Sequence, residues 1–109
     1  MTPSTVQEVF DGMPSAFRPH KAEGVEMVYQ FHITGDESGD WTVSIAGGQC
    51  AVSPGTHPDP TATLTLSDQN WLKLVAGKLN PAMALMTGKL KVGGDLMAAQ
   101  KMGSLFKLG

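Results

Sequence analysis

Residues 25–34 read VEMVYQFHIT, a stretch in which apolar and polar side chains alternate. Successive side chains of an extended chain point to opposite faces, so the apolar members share one side of a strand. These members are Val25, Met27, Tyr29, Phe31 and Ile33. The alternation predicts a strand over residues 25–34, in a sheet whose apolar face other elements must cover.

Further segments on either side of the Gly47-Gly48 pair and later in the chain also have the features of strands: residues 41–46, 49–53, 61–66 and 89–92. The glycine pair predicts a tight hairpin turn between the first two of them. A second glycine pair, Gly93-Gly94, is expected to turn the chain after the last strand. The strands up to residue 66 are expected to form an antiparallel meander.

Helix signals frame this meander. Ser4 is predicted to cap a first helix that carries a stripe of apolar residues and that Pro14 would break. Three later helices are expected after residue 66, to end near Gly77, at Gly88 and beyond Gly103. Their predicted start signals are Ser67, Asn80-Pro81 and Asp95. Strands followed by helices that cover one sheet face predict an α+β fold.

The bulk composition is that of one compact domain. The chain has 109 residues, of which 41% are hydrophobic and 17% charged, so we expect a single domain over residues 1–109. No apolar stretch is long enough to span a membrane, and the first residues lack the pattern of a secretion signal. A single cysteine, Cys50, rules out an internal disulfide. A cytoplasmic location is the expectation.

Charge is unevenly distributed along the chain. Residues 1–66 carry eight acids and two bases, whereas residues 67–109 carry six lysines and two aspartates. These lysines are scattered and have few aromatic neighbours, which argues against nucleic-acid binding. They fit either ordinary solvated helix faces or weak attraction to anionic lipid.

The residues that could support catalysis show no familiar arrangement. The three histidines lack metal-ligand spacing, and Cys50 has no basic neighbour in sequence to activate its thiol. A nucleophile elbow and a phosphate-binding loop are both missing from the sequence. We therefore expect a protein that is not an enzyme and that has no cofactor or metal. The candidates weighed are Asp11, His20, His32, Cys50 and His57.

Four of the seven methionines lie in the predicted late helices: Met83, Met86, Met97 and Met102. Methionine is flexible and polarizable, so it adapts to ligands of uneven shape. The same positions also suit an ordinary hydrophobic core. From the residues alone, both a soft apolar pocket and a packed core remain open.

Several short motifs occur together in one order: residues 64–68 (LTLSD), 77–81 (GKLNP), 86–92 (MTGKLKV) and 94–95 (GD). With them, the chain from about Phe10 to Phe106 resembles the sterol carrier protein 2 (SCP2) domain family, in its stand-alone prokaryotic form. The resemblance implies a five-stranded sheet flanked by helices, with a hydrophobic tunnel between them. It also implies non-enzymatic binding, and intracellular transfer, of a fatty acid, a fatty acyl-CoA or a sterol-like lipid.

The lipid-binding residues that the resemblance implies come from two strands and the late helices. Core packing is the competing interpretation for Trp71 and for the two residues of the first strand. The full set is Phe31, Ile33, Trp71, Leu74, Met83, Met86, Leu90, Met97, Met102, Leu105 and Phe106.

Two further expectations concern partners. The final helix could act as a gate that loosens at a membrane surface, with Gly93-Gly94 as its hinge and Lys101 and Lys107 near phosphates. Alternatively, the apolar groove accepts a helix of a protein partner or of a second copy, giving a homodimer. An accessory domain that presents acyl-CoA to a separate enzyme is a third interpretation.

Overall fold

The computed structural model describes residues 5–21 and 23–105, which fold around one five-stranded sheet. The strands are β1 (Met27–Thr34), β2 (Gly39–Ala46), β3 (Gln49–Pro54), β4 (Ala62–Ser67) and β5 (Leu90–Gly94). Their order across the sheet is β3-β2-β1-β4-β5. The alternating stretch that predicted the first strand therefore supplies the central strand of the sheet.

Neighbouring strands are antiparallel with one exception, the parallel pair β1 and β4. The expected meander is thus correct only for β1, β2 and β3, after which the chain crosses back to lie beside β1. Phe31 marks the register, because it is opposite Trp41 on β2 and Leu64 on β4. Leu64 in turn faces Val92 on β5.

The sheet has one apolar and one polar face, as the alternation predicts. Tyr29, Phe31 and Ile33 of β1 are buried on the apolar face. All the helices that pack on the sheet bury apolar residues against this face. They are α1 (Val6–Ala16), α2 (Asp68–Val75), α3 (Pro81–Met86) and α4 (Leu96–Leu105).

Aromatic rings form the centre of the core. The Phe10 ring stacks on Trp41 at a centroid distance of 4.6 Å and on Trp71 at 5.4 Å. Phe31 meets Phe10 edge to face at 5.3 Å and Trp71 at 5.0 Å. Such pairs are worth about 0.5–1.5 kcal/mol beyond the area that they bury. This cluster holds α1 and α2 against β1 and β2.

A buried glutamine anchors a loop on the opposite face. The Gln30 amide donates to the carbonyl oxygens of Trp41 and Gly55, each at 3.1 Å. Its oxygen accepts from the His57 backbone N–H at 2.6 Å and from the Thr42 hydroxyl at 3.1 Å. These bonds satisfy the buried amide and fix the loop that leads into β4.

Three local predictions about the chain are wrong. Thr5, not Ser4, caps α1, since its hydroxyl oxygen accepts from the Glu8 N–H; Ser4 lies outside the described residues. Pro14 does not break α1, which continues to Ala16 while Phe10 and Met13 stay buried. Packing on that face outweighs the loss of one backbone bond near the helix end. The pair Gly93-Gly94 was expected to follow the last strand as a turn; instead, its two residues are the last two of β5 and pair with β4.

The predicted caps of the later helices are confirmed. The Ser67 hydroxyl oxygen accepts from the Asn70 N–H, the Asn80 side chain from the N–H groups of Ala82 and Met83, and Asp95 from the Ala98 N–H. In the part of the chain that the structure describes, no helix has the length and apolarity needed to cross a lipid bilayer.

Gly88 and Gly94 have nearly the same positive φ, but only at Gly94 would an added Cβ contact other atoms. Comparing alanine substitutions at the two positions therefore separates the cost of this steric contact from the cost of the backbone conformation. Gly94 has φ +78°, and a Cβ added there would be 2.7 Å from the Thr61 carbonyl oxygen. Gly88 has φ +77°, yet an added Cβ would meet no atom of the described residues within 4 Å. We expect Gly88→Ala to cost about 1 kcal/mol of unfolding free energy and Gly94→Ala about 3 kcal/mol. Urea denaturation of the two variants measures both costs, and equal losses would contradict the close-contact argument.

Candidate functional site

An apolar groove opens beside β5, where α3 and α4 face each other across the edge of the sheet. Its volume is about 480 Å³, and it is open to solvent. Its floor comes from the sheet and its walls from the two helices. The lining residues are Leu64, Asn80, Ala82, Leu85, Met86, Leu90, Val92, Leu96 and Ala99.

The groove exists because α3 covers the sheet incompletely. This helix has six residues, and Ala84 is the only one of its described side chains that is buried. Alanine fills little space, so the larger side chains of α3 stay at the surface. Met83, Leu85 and Met86 are 54%, 37% and 82% exposed. Because Ala84 is small, α3 packs on the sheet without filling the space beside β5.

The wall formed by α4 is attached at both ends. At its start, the Asp95 N–H donates to the Thr61 carbonyl oxygen at 3.0 Å, and the Asp95 carboxylate caps the helix. At its end, Leu105 is buried and its carbonyl oxygen accepts from the Arg18 N–H at 2.8 Å. Between these points, the small side chain of Ala99 faces the groove and leaves it open.

Tyr29 fixes the middle of α4 to the sheet. Its hydroxyl is buried and donates to the Ala98 carbonyl oxygen at 2.6 Å. Burial, with a smaller contribution from the negative charge of Asp95, raises the pKa of Tyr29 from 10.0 to about 12. The hydroxyl therefore stays protonated and keeps its bond across the physiological range.

The groove suits an apolar ligand and offers no chemistry of its own. Among its described lining residues, Asn80 is the one polar side chain, and no titratable group is present. Apolar surface in a concave site binds hydrocarbon by removing it from water.

The structure brings two of the sequence-predicted lipid-binding residues, Met86 and Leu90, into the lining. Another two, Met83 and Met97, lie at the surface outside it, and Leu74 is half-buried against the core. The Met102 side chain and all of Phe106 lie outside the described residues. The others are buried in the core: Phe31, Ile33, Trp71 and Leu105.

Core packing thus accounts for most of the aromatic positions. The Trp71 indole N–H is a partial exception, since it is buried without a hydrogen-bond partner among the described residues. Its ring is explained by the contacts to Phe10 and Phe31.

Sequence reasoning missed several lining residues for identifiable reasons. Leu64 and Val92 are paired across β4 and β5, and they could have been found by aligning the apolar positions of those strands. Ala82 and Ala99 gave no signal, because they leave space in the groove by having small side chains, and alanine is common at many kinds of helix position. Tyr29, which lies outside the lining and holds α4, had a signal, since a tyrosine on a buried strand face needs a partner for its hydroxyl.

The residues weighed for catalysis are dispersed. His32 Nδ1 is 2.6 Å from an Asp40 carboxylate oxygen on the polar face of the sheet, and both side chains are exposed. Burial raises the pKa of the Cys50 thiol to about 11, which keeps it protonated and unreactive at neutral pH. His57 accepts from the Asp59 N–H within its loop. Within residues 5–21 and 23–105, no three acidic, histidine or cysteine side chains cluster as a metal site would require.

Comparison with known proteins identifies the family of this chain. Residues 7–107 match the SCP-2 sterol transfer family. The chain belongs to that family. A curated relative, hydroxysteroid dehydrogenase-like protein 2 of Xenopus tropicalis, is 34% identical over 101 residues, which are 91% of this chain and 24% of the relative. This SCP-2 chain therefore spans about a quarter of the length of that longer protein.

Solved SCP-2 structures have the same architecture. The sterol carrier protein domain 2 of Helicoverpa armigera has a TM-score of 0.78 and 27% identity, covering 92% of this chain and 84% of that one. Palmitated SCP2L2 from Aedes aegypti has a TM-score of 0.76 and 25% identity, with 92% of each chain covered. The predicted family and the predicted five-stranded fold with its helices are confirmed.

Removing the Tyr29 hydroxyl tests the attachment of α4. At neutral pH we expect Tyr29→Phe to lose about 1 kcal/mol of unfolding free energy, because one buried hydrogen bond is lost. In the wild type the folded pKa lies above the unfolded value, so this contribution is present below pH 10 and disappears as pH rises toward 12. The stability difference between the two proteins should therefore narrow over that interval. Urea denaturation across the pH series measures it, and parallel pH curves would contradict the assignment.

Proposed function

We propose that this protein binds a lipid by its hydrocarbon chain and carries it without chemical change. The observation that supports the proposal most directly is the open apolar groove of about 480 Å³ between β5, α3 and α4. Small-molecule sites usually have volumes of about 300–1,000 Å³. Membership of the SCP-2 family and the absence of titratable groups from the described lining support the same function.

Hydrocarbon burial supplies enough free energy for such binding. Each buried methylene is worth about 0.8 kcal/mol, so a 16-carbon chain gains on the order of 10 kcal/mol before ordering costs. These costs are several kcal/mol or more, which leaves affinities on the order of micromolar. Specific polar contacts are not needed for this, which fits a groove with one polar side chain in its described lining.

A fatty acyl chain is the ligand class that we favour, as a free fatty acid or as the acyl group of acyl-CoA, ahead of a sterol-like lipid. Methionine and leucine side chains at Met86, Leu85 and Leu96 can repack around a flexible chain. The palmitated state of the Aedes aegypti relative shows that a protein of this fold takes such a chain.

We further propose that the protein, as a single domain over residues 1–109, transfers its lipid within the cytoplasm, with α4 as the gate and transient contact with a membrane surface. Among the described residues, hydrogen bonds join α4 and its cap to the rest of the protein at three places: Tyr29 to Ala98, Asp95 to Thr61, and Arg18 to Leu105. Gly94 is an unsuitable free hinge, since it pairs with β4 and lies against Thr61. We expect the movement to begin between Ala98 and Leu105.

Two other functions have some support. An interaction module, in which a partner helix or a second copy occupies the groove, is favoured by the exposed methionines of α3. Presentation of acyl-CoA to an enzyme is favoured by the curated relative, in which the matching segment is 24% of a longer chain.

Filling the groove tests the carrier function. We expect Ala99→Phe to lower palmitate affinity at least about tenfold, because the phenyl ring would take up ligand volume beside Leu64 and Leu96. Ala51→Phe on β3 is the control, because Ala51 is exposed and lies outside the lining. Isothermal titration with palmitate measures both, with thermal melting to confirm that each variant is folded.

Native mass spectrometry of the protein purified from cells separates the alternatives. A bound fatty-acid mass in the wild type that is missing from Ala99→Phe supports the carrier. An empty wild-type dimer, together with palmitate affinity that is equal in both variants, would contradict it and favour the interaction module.

Removing the hydrogen bond between Tyr29 and Ala98 tests whether α4 is the gate. We expect Tyr29→Phe to speed the transfer of a fluorescent fatty acid from loaded protein to acceptor vesicles roughly fivefold, because one buried hydrogen bond no longer opposes opening. Stopped-flow fluorescence gives this rate. Transfer at the wild-type rate, with the stability of the variant lowered as expected, would mean that α4 is not the gate.

A further inference from the structure

Exposed apolar side chains lie on α3 and α4, the two helices that form the walls of the groove. We name the set formed by Met83, Leu85, Met86, Leu96 and Met97 the α3–α4 apolar face. Their exposed fractions are 54%, 37%, 82%, 46% and 74%. Every large hydrophobic residue that is exposed among the described residues belongs to this set. Single exposed apolar residues are common on proteins, whereas a contiguous group around a cavity marks an interaction surface.

The segment that carries this face is basic. Residues 78–101 contain four lysines, Lys78, Lys89, Lys91 and Lys101, against one acid, Asp95. Lys91 alternates with the groove-lining Leu90 and Val92, so it lies on the other face of the sheet. The remaining three lysines and Asp95 give +2 in a protein with a total formal charge of −2. Lys78 precedes α3 and Lys89 follows it, and both are exposed. The Asp95 carboxylate caps α4, so it is engaged by the helix that follows it.

We infer that the α3–α4 apolar face is a docking surface for an anionic phospholipid bilayer. Methionine and leucine side chains of this size can enter the boundary between headgroups and acyl chains, while lysines beside them meet the phosphates. The acidic remainder of the protein would be repelled by the same surface. This distribution of charge favours one orientation of the protein on the bilayer, in which the groove faces the membrane.

The inference rests on the proposed carrier function, since it names the membrane partner of the same groove. Leu85, Met86 and Leu96 belong both to the face and to the groove lining. A lipid leaving the groove would therefore pass from one apolar surface to the next without crossing water. Met83 and Met97 belong to the face alone, which allows docking and ligand binding to be tested separately.

The experiment compares vesicle binding by the full chain and its variants. The vesicles are phosphatidylcholine alone, or phosphatidylcholine with about 30% phosphatidylglycerol, and binding is measured by co-sedimentation. We expect the wild type to bind the anionic vesicles and to be released at about 0.5 M salt, because the lysine contribution is screened. Met83→Ser/Met97→Ser should weaken vesicle binding about tenfold or more, because two apolar side chains no longer enter the bilayer. Its palmitate affinity by isothermal titration should not change.

Two matched controls accompany this variant. Met83→Leu/Met97→Leu keeps the apolar surface and should bind vesicles as the wild type does. Lys78→Gln/Lys89→Gln should lose roughly tenfold in affinity for the anionic vesicles. Lys73→Gln removes an exposed cation of α2, outside α3, β5 and α4, and should not lose affinity.

The outcomes separate this inference from the carrier function. If the wild type binds palmitate but no vesicles, or if the serine variant binds vesicles normally, the docking surface is refuted and the carrier function stands. Sedimentation velocity measures whether the protein is a dimer. A wild type that is a dimer and a serine variant that is a monomer would assign the face to a second copy, and this would also refute the inference. Loss of palmitate binding by Ala99→Phe tests the carrier alone and does not depend on any of these results.

Discussion

The apolar face of the sheet has to be covered, and the elements available to cover it differ in size. Near β1 and β2, the rings of Phe10, Trp41 and Trp71 stack on one another, and those of Phe10 and Trp71 are fully buried. Near β5, α3 contributes a single buried alanine among its described side chains. Close packing is the norm in protein interiors, so this unequal coverage leaves an apolar groove at the β5 edge of the sheet. The groove and the aromatic core are thus two results of the same difference in how the sheet is covered.

A rigid aromatic half and an open aliphatic half serve different purposes within one small protein. The stacked rings supply stability, which a domain of this size has little means to obtain elsewhere. The groove can then remain unfilled without loss of the fold, because its walls are held by hydrogen bonds of the frame and not by packing across the cavity. Tyr29 shows this arrangement most clearly, since its ring lies in the core while its hydroxyl holds the Ala98 carbonyl of the groove wall.

The sequence predicted the fold class because its strongest signal, the alternation over residues 25–34, belongs to the central strand. Caps at Ser67, Asn80 and Asp95 were equally legible, since each depends on one side chain and its neighbours. The parallel pairing of β1 with β4 was not predictable in this way, because strand order depends on contacts between residues far apart in sequence. Pro14 gave a false signal for a similar reason: packing of Phe10 and Met13 on the core overrides a local preference. The groove was foreseen as a family property, yet the alanines that keep it open carry no local signature.

Thr61 links the central strand β1 to the start of α4. Its N–H donates to the Val28 carbonyl oxygen, its hydroxyl oxygen accepts from the Val28 N–H, and its own carbonyl oxygen accepts from the Asp95 N–H. The start of the groove wall is therefore positioned by the central strand, whereas the small side chains of Ala82 and Ala99 leave space in the groove. Because these two tasks fall to different residues, an exchange at either alanine would change the volume open to a ligand while the hydrogen bonds that hold the wall are left intact.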